Sequence, residues 1–255
     1  MKQRYFIELA YNGSRFHGWQ IQPNAETVQQ YLENALTTIC REEIAVAGAG
    51  RTDTGVHASY FVAHFDSEKA DLDHPDFVYK LNSFLNNDIA IFKLTKVNSE
   101  SHARFDATSR TYHYFINLQK DPFVQESSWY LKRKLAVDKM NEACSVLFDY
   151  EDFTSFSKLH TDVKTNNCKI YHAKWKQQNN RLIFTIKADR FLRNMVRAIV
   201  GTMVEIGQGK ISSSDLRKII ETKNRGAAGV SAPAQGLFLA HIAYPEEIFT
   251  PIQDI

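Results

Sequence analysis

The chain opens with alternation: Tyr5, Ile7, Leu9 and Tyr11 are interleaved with Phe6, Glu8 and Ala10, which predicts a strand. The pair Asn12-Gly13 ends it with turn chemistry. Thr27-x-x-Gln30 has the form of a capping box. Val28, Tyr31, Leu32, Ala35, Leu36 and Ile39 then follow helical spacing, predicting an amphipathic helix to about Ile39. A short strand near Ile44–Ala47 leads into a glycine-rich run, and Tyr60–Phe65 is apolar enough for another strand. Pro75 stands where a first-turn proline belongs, with Phe77, Leu81 and Leu85 on one face. A strand over Ile89–Val97 and a connection over Arg104–Ser109 follow.

The second part has a similar make-up. Tyr112, Tyr114, Ile116 and Leu118 alternate as a strand, and Met140, Ala143, Cys144 and Leu147 mark a helix. Strands are expected around Cys168–Lys176 and Arg181–Ala188. A long helix is expected from about Phe191 to Ile206, stopped by Gly207 and Gly209. A shorter one starts near Ser214-Asp215, and a last strand covers Leu237–Tyr244. Mixed elements with alternating strands predict an α+β fold of two similar halves, with mostly antiparallel sheets covered on one face by helices. The element count divides the chain into 1–105 and 106–255.

Composition narrows the class. The chain has 255 residues, 44% hydrophobic and 24% charged, as ordinary soluble domains do. No apolar run is long enough to span a membrane, and Arg4, Glu8 and Arg15 leave no apolar leader in the first twenty residues. Cys40, Cys144 and Cys168 are odd in number and widely spaced. That opposes a disulfide framework or a zinc site and suits a reducing cytoplasm; each is expected to be a small buried apolar residue. The nine histidines show no metal spacing, so no metal is expected. Net charge is +2 overall, but residues 1–105 hold 10 basic and 13 acidic side chains, and the remainder 21 and 16. A basic second half permits a polyanion partner.

Four groups of residues are suited to chemistry. Gly48-Ala49-Gly50-Arg51-Thr52-Asp53-Thr54-Gly55-Val56-His57-Ala58 sets a guanidinium and a carboxylate two residues apart among three glycines. Such a loop lets another chain approach, and Asp53 there is a candidate nucleophile or general base; the plain alternative is a turn with Asp53 bonding its own backbone. Arg190, Arg193 and Arg197 are spaced to share one helix face, either as a solvated basic face or as arginines reaching a carboxylate or phosphate. In Arg110-Thr111-Tyr112-His113-Tyr114, Tyr114 reads as sheet core, and Tyr112 as core or as a ring offered to a nucleobase. In Phe16-His17-Gly18-Trp19-Gln20, Trp19 is either a plug for the sheet end or a stacking surface, with Gln20 an amide donor and acceptor beside it. No phosphate-binding loop, dinucleotide fingerprint or serine-hydrolase elbow is present.

Taken together these segments resemble the tRNA pseudouridine synthases of the TruA family. The strongest match is Gly50-Arg51-Thr52-Asp53-Thr54-Gly55-Val56-His57-Ala58. It is joined in order by Gly18-Trp19-Gln20, Thr27-Val28-Gln29, Ala103-Arg104-Phe105-Asp106-Ala107, Arg110-Thr111-Tyr112, Phe191-Leu192-Arg193-Asn194-Met195-Val196-Arg197 and Ala234-Gln235-Gly236-Leu237. Thr54 departs from the family, which usually has Ala there. The resemblance implies that Asp53 is the catalytic nucleophile, that Arg51 helps extrude the target nucleotide, that Tyr112 stacks on the uracil and that Arg197 pairs with Asp53. Arg110 and Gln20 are the further candidate substrate-binding residues. It also implies a cofactor-free homodimer acting in the cytoplasm on uridines 38–40 of the tRNA anticodon stem-loop, with two α+β halves around a basic cleft. Two rivals fit the residues less well: a non-catalytic RNA-binding protein, and an acid–base hydrolase needing a second acid beside Asp53.

Overall fold

The structure is a computed structural model that describes residues 2–158 and 165–249. The chain forms two compact units. One is drawn from the chain up to Thr108 and again from Leu239; the other runs Ser109–Phe238.

The first unit holds β1 (Gln3–Tyr11), α1 (Val28–Cys40), β2 (Val46–Gly48), β3 (His57–Ser67), α2 (Pro75–Phe84) and β4 (Ile89–Val97). β1 lies between β3 and β4, antiparallel to both, and β2 adds antiparallel to β3. The register sets Tyr5 opposite Phe65, Ile7 opposite Ala63 and Leu9 opposite Phe61. The alternating apolar row of β1 and its counterpart on β3 are thus one buried layer. Thr27 Oγ1 accepts the Gln30 N–H at 3.4 Å and caps α1, whose stripe Val28, Leu32, Ala35, Leu36 and Cys40 is buried. Pro75 occupies the first turn of α2, as its position in the sequence predicts, with the His74 side chain as cap.

The second unit holds β5 (Ser109–Asn117), β6 (Trp129–Tyr130), α3 (Val137–Val146), β7 (Ile170–Gln178), β8 (Arg181–Ala188), α4 (Met195–Gly207) and α5 (Ser213–Glu221). β8 lies between β5 and β7, antiparallel to both, while the two-residue β6 runs parallel to β5. Trp175 stacks on Phe184 at 4.8 Å between ring centres. The Asn141 side chain both donates to and accepts from the backbone of Trp175, at 3.0 and 2.8 Å, tying α3 to β7. A complete capping box between Ser212 and Asp215 starts α5. The last strand, β9 (Leu237–Ala243), brings the chain back beside β3. The fold is therefore α+β with mostly antiparallel strands, as expected from the alternation.

The long helix departs from expectation. It begins at Met195 rather than Phe191, because Asn194 has φ +66°, a left-handed conformation that a helix cannot continue through. Arg190 and Arg193 consequently lie before the helix, and the predicted three-arginine face does not form. Nor is α4 amphipathic: Ala198, Ile199, Val200, Gly201, Thr202, Met203 and Val204 are buried in succession, the pattern of a helix enclosed on all sides. The three cysteines are buried and unpaired, and burial pushes the Cys144 and Cys168 thiols up to about 12.

One buried titratable group gives the first unit a pH dependence. His64 is 6% exposed, and its Nδ1 accepts the Ala103 N–H at 3.2 Å. Burial, then the neighbouring His102 and Arg4, push its pKa down to about 4. Above the ordinary histidine value of about 6.5 both folded and unfolded chains are neutral there, and the stability is complete. As pH falls from about 6.5 toward 4 the unfolded chain takes up the proton first, so the native state loses ground. Urea unfolding midpoints are expected to decline over that window, and His64→Gln, which keeps an acceptor but does not titrate, is expected to flatten the decline.

Candidate active site

The glycine-rich run leaves β2 at Gly48 and enters β3 at His57, so Arg51, Thr52 and Asp53 stand on the loop joining two paired strands. The loop is held from several sides. Ala49 N–H donates to Val62 O at 2.8 Å. Thr52 is buried, with its Oγ1 2.9 Å from the Tyr11 hydroxyl. Val56 N–H closes a turn onto Asp53 O at 3.1 Å, and Gly55 supplies the positive φ, +76°, that the third position of such a turn demands.

The same loop rests on the segment following β1. Trp19 N–H donates to Thr52 O at 3.3 Å, Gly55 N–H to Phe16 O at 3.3 Å, and Gly13 N–H to His57 Nδ1 at 3.1 Å. The two backbones lie so close that side chains are excluded. A Cβ on Gly13 would stand 2.0 Å from Val56 O, and one on Gly18, which has φ +89°, 2.3 Å from Thr52 O. Asn12 Oδ1 accepts the Ser14 N–H at 3.0 Å and shapes the turn that presents Gly13. A second brace comes from α1: Gln29 donates to Val46 O at 3.0 Å and to Glu33 at 2.9 Å, and Glu33 accepts the Val46 N–H at 2.8 Å.

Within this frame Asp53 is half-buried and Arg51 is exposed. Trp19 takes the first of its two readings. It is 2% exposed, stacks on Phe61 at 4.2 Å and fills the space a Gly48 side chain would occupy. It is therefore core rather than a stacking surface, and the adjacent Gln20 is exposed. The glycines divide by task. Gly48 makes room for Trp19 and Gly55 makes the turn, while around Gly50 a Cβ would meet nothing within 4 Å.

The second unit carries Arg110, Tyr112 and Arg197. Arg110 donates to Asp189 O at 2.9 Å. Tyr112 is half-exposed and meets Phe191 edge to face at 5.1 Å, whereas Tyr114 is buried and donates to Pro233 O at 2.8 Å. Burial raises the Tyr114 phenol far above its usual value, and the nearby Arg197 charge opposes that rise. Arg197 is doubly bound to one residue: its Nε donates to Ala232 O at 2.7 Å, and its carbonyl accepts the Ala232 N–H at 2.9 Å. Residues 228–233 form a strap that runs past the start of α4. Asn194 and Arg225 both donate to Ser231 Oγ, at 2.6 and 2.8 Å, and Gly229 N–H donates to Thr202 Oγ1 at 3.0 Å. Gly201 leaves room for Val230 O, and Gly236 for the Tyr114 ring.

Of the residues that hold these segments, His57, Gln29 and Asn194 lie inside the quoted motifs, whereas Tyr11, Glu33 and Arg225 lie outside them. Tyr11 carries a core signal in its period of two, and Asn194 sits inside an apolar helical pattern that conceals its left-handed turn.

The profile described as tRNA pseudouridine synthase matches residues 9–106 and 144–245. The chain is 56% identical over 252 residues to the tRNA pseudouridine synthase A of Parabacteroides distasonis, covering 99% of this chain and 100% of that one. It is 57% identical over 248 residues to that of Bacteroides fragilis (97% and 98%), and 39% identical over 240 residues to that of Bacillus licheniformis (92% and 97%). The chain belongs to the tRNA pseudouridine synthase family. Its activity is that of an isomerase, and tRNA is its substrate class. Among the described residues no helix is long and apolar enough to cross a membrane.

The close approach of the two backbones separates the glycines experimentally. Gly18→Ala combines a positive φ with an overlap onto main chain, so its thermal midpoint is expected to fall by at least about 4 °C. Gly50→Ala is expected to hold its midpoint within about 2 °C, as substitutions into open space do. Differential scanning calorimetry of the two variants checks both.

Proposed function

We propose that this protein converts uridines at positions 38–40 of the tRNA anticodon stem-loop to pseudouridine, with Asp53 as nucleophile. The supporting observation is the placement of Asp53. It is a half-buried carboxylate on a turn whose backbone is immobilised from three directions, inside the first of the two family-matched segments. Isomerisation breaks N1–C1′ and forms C5–C1′; the proton lost from C5 is balanced by one gained at N1. Nothing is oxidised or hydrolysed, so one carboxylate that holds the intermediate, at C1′ or at C6, suffices.

The remaining roles follow the resemblance. A target within a paired stem leaves its stack at a cost of a few kcal/mol, and the exposed Arg51 is suited to occupy the space it vacates. Tyr112, half-exposed against Phe191, offers a ring to the extruded uracil. Arg197 acts in the same reaction as counter-charge to the Asp53 carboxylate. Its Nε and backbone are already engaged by Ala232, which fixes the direction of the guanidinium. Arg110 and Gln20 contact the nucleotide or its phosphates. Action as a homodimer in the cytoplasm completes the proposal.

Unmodified tRNA transcripts incubated with the protein and mapped chemically for pseudouridine test this. Wild type is expected to modify uridines in the 38–40 region, and a wild type that modifies none overturns the function. Asp53→Ala is expected to lose at least about 10⁴-fold in rate while binding tRNA within about threefold; retained activity removes Asp53 as nucleophile. For Arg197→Ala the expectation is a loss of about 100-fold or more in kcat with little change in tRNA affinity. Equal losses in rate and binding would instead make Arg197 a phosphate contact.

A further inference from the structure

The motif Ala103-Arg104-Phe105-Asp106-Ala107 has no part in the chemistry above, yet its backbone is bonded to distant parts of the first unit. Ala103 N–H donates to His64 Nδ1 at 3.2 Å, and Ala103 O accepts from the Tyr244 hydroxyl at 2.6 Å. Arg104 N–H donates to His102 Nδ1 at 3.1 Å, His102 N–H to Asp106 Oδ2 at 2.7 Å, and Arg4 to Ser101 O at 3.1 Å. Both histidines accept through Nδ1, and their pKa values are pushed down, chiefly by burial. They therefore accept these bonds as neutral rings at neutral pH.

This frame displays a side chain that folding does not use. Phe105 is 74% exposed. Its ring lies 4.3 Å from that of His102, tilted by 39°, and the Arg104 guanidinium carbon is 5.7 Å from its centre. A single exposed apolar residue is ordinary. An exposed phenylalanine grouped with an imidazole and a guanidinium, on a loop tied by residues from β1, β3 and the segment after β9, is a preformed aromatic surface. Nucleobases stack on aromatic faces and on guanidinium planes. His64 stands seven residues along β3 from His57, where the Asp53 loop ends, roughly 23 Å at strand spacing. The surface is thus remote from Asp53 along the strand.

We infer that Phe105, with Arg104, is a stacking platform for an unpaired base of the tRNA substrate, distinct from the uridine being isomerised. The inference rests on tRNA being the substrate, and the test separates the two by measuring binding as well as turnover. Filter binding of an unmodified tRNA transcript is expected to show Phe105→Ala weakened about tenfold, the effect of losing one stacked base, and Phe105→Trp within about twofold of wild type. At saturating tRNA, kcat of Phe105→Ala is expected within about twofold of wild type, and its thermal midpoint unchanged, as befits an exposed side chain. Unaltered affinity in a folded Phe105→Ala overturns the inference. So does a shift of Phe105→Ala to a smaller species in sedimentation, which would assign the surface to a second copy of this chain. A wild type that binds tRNA but isomerises nothing would overturn the proposed function while leaving the platform standing.

Discussion

The structure of the first unit depends on two stretches of main chain touching without side chains between them. Residues 13–19 and 52–57 exchange backbone hydrogen bonds, and Gly13 and Gly18 are the points of contact. Backbone groups are obligatory donors and acceptors, so a loop fixed through them has few alternative arrangements. The role proposed for Asp53 requires a carboxylate held to within about half an ångström of its working position. Tyr11, His57, Gln29 and Glu33 reinforce the contact from β1, β3 and α1, which means that the core strands and the loop share one set of constraints.

The second unit uses the same device on different elements. The strap at 228–233 is bonded through its main chain to Arg197, and glycine at 201 admits a carbonyl where any side chain would collide. Asn194 and Arg225 converge on one hydroxyl, that of Ser231. Arg197 is consequently part of the packing that positions it. Its guanidinium is tied to the strap through the bond from Nε to Ala232 O, which offsets part of the entropy lost in ordering a long side chain.

Strands were the most legible elements because burial of one face writes a period of two directly into the residue order, as in β1 and β8. The glycine-rich run was legible as a loop, and its Asp53 as a candidate, since no core element tolerates that composition. The start of α4 was not legible. Phe191, Leu192, Met195 and Val196 keep helical spacing across a residue, Asn194, that turns left-handed, and spacing carries no record of φ. The burial of α4 on several sides is hidden in the sequence for a related reason: the arginines at 190 and 193 imitate a polar face although neither is on the helix. For Trp19 and the glycines the identity of the partner decides the role. The collision that requires glycine at 48 is with a tryptophan twenty-nine positions away, and such pairings are visible only in three dimensions.

The return of the chain to the first unit at Leu239 bears on how the protein is made. β9 lies beside β3, the Tyr244 hydroxyl closes on Ala103, and Phe6 packs against Tyr244 and Phe249. All of these partners emerge from the ribosome only after the whole of Ser109–Phe238 has been synthesised. The second unit is contiguous, whereas the first is closed by a segment separated from the rest of it by the whole of Ser109–Phe238. The first unit therefore gains these contacts only after the second has been synthesised in full.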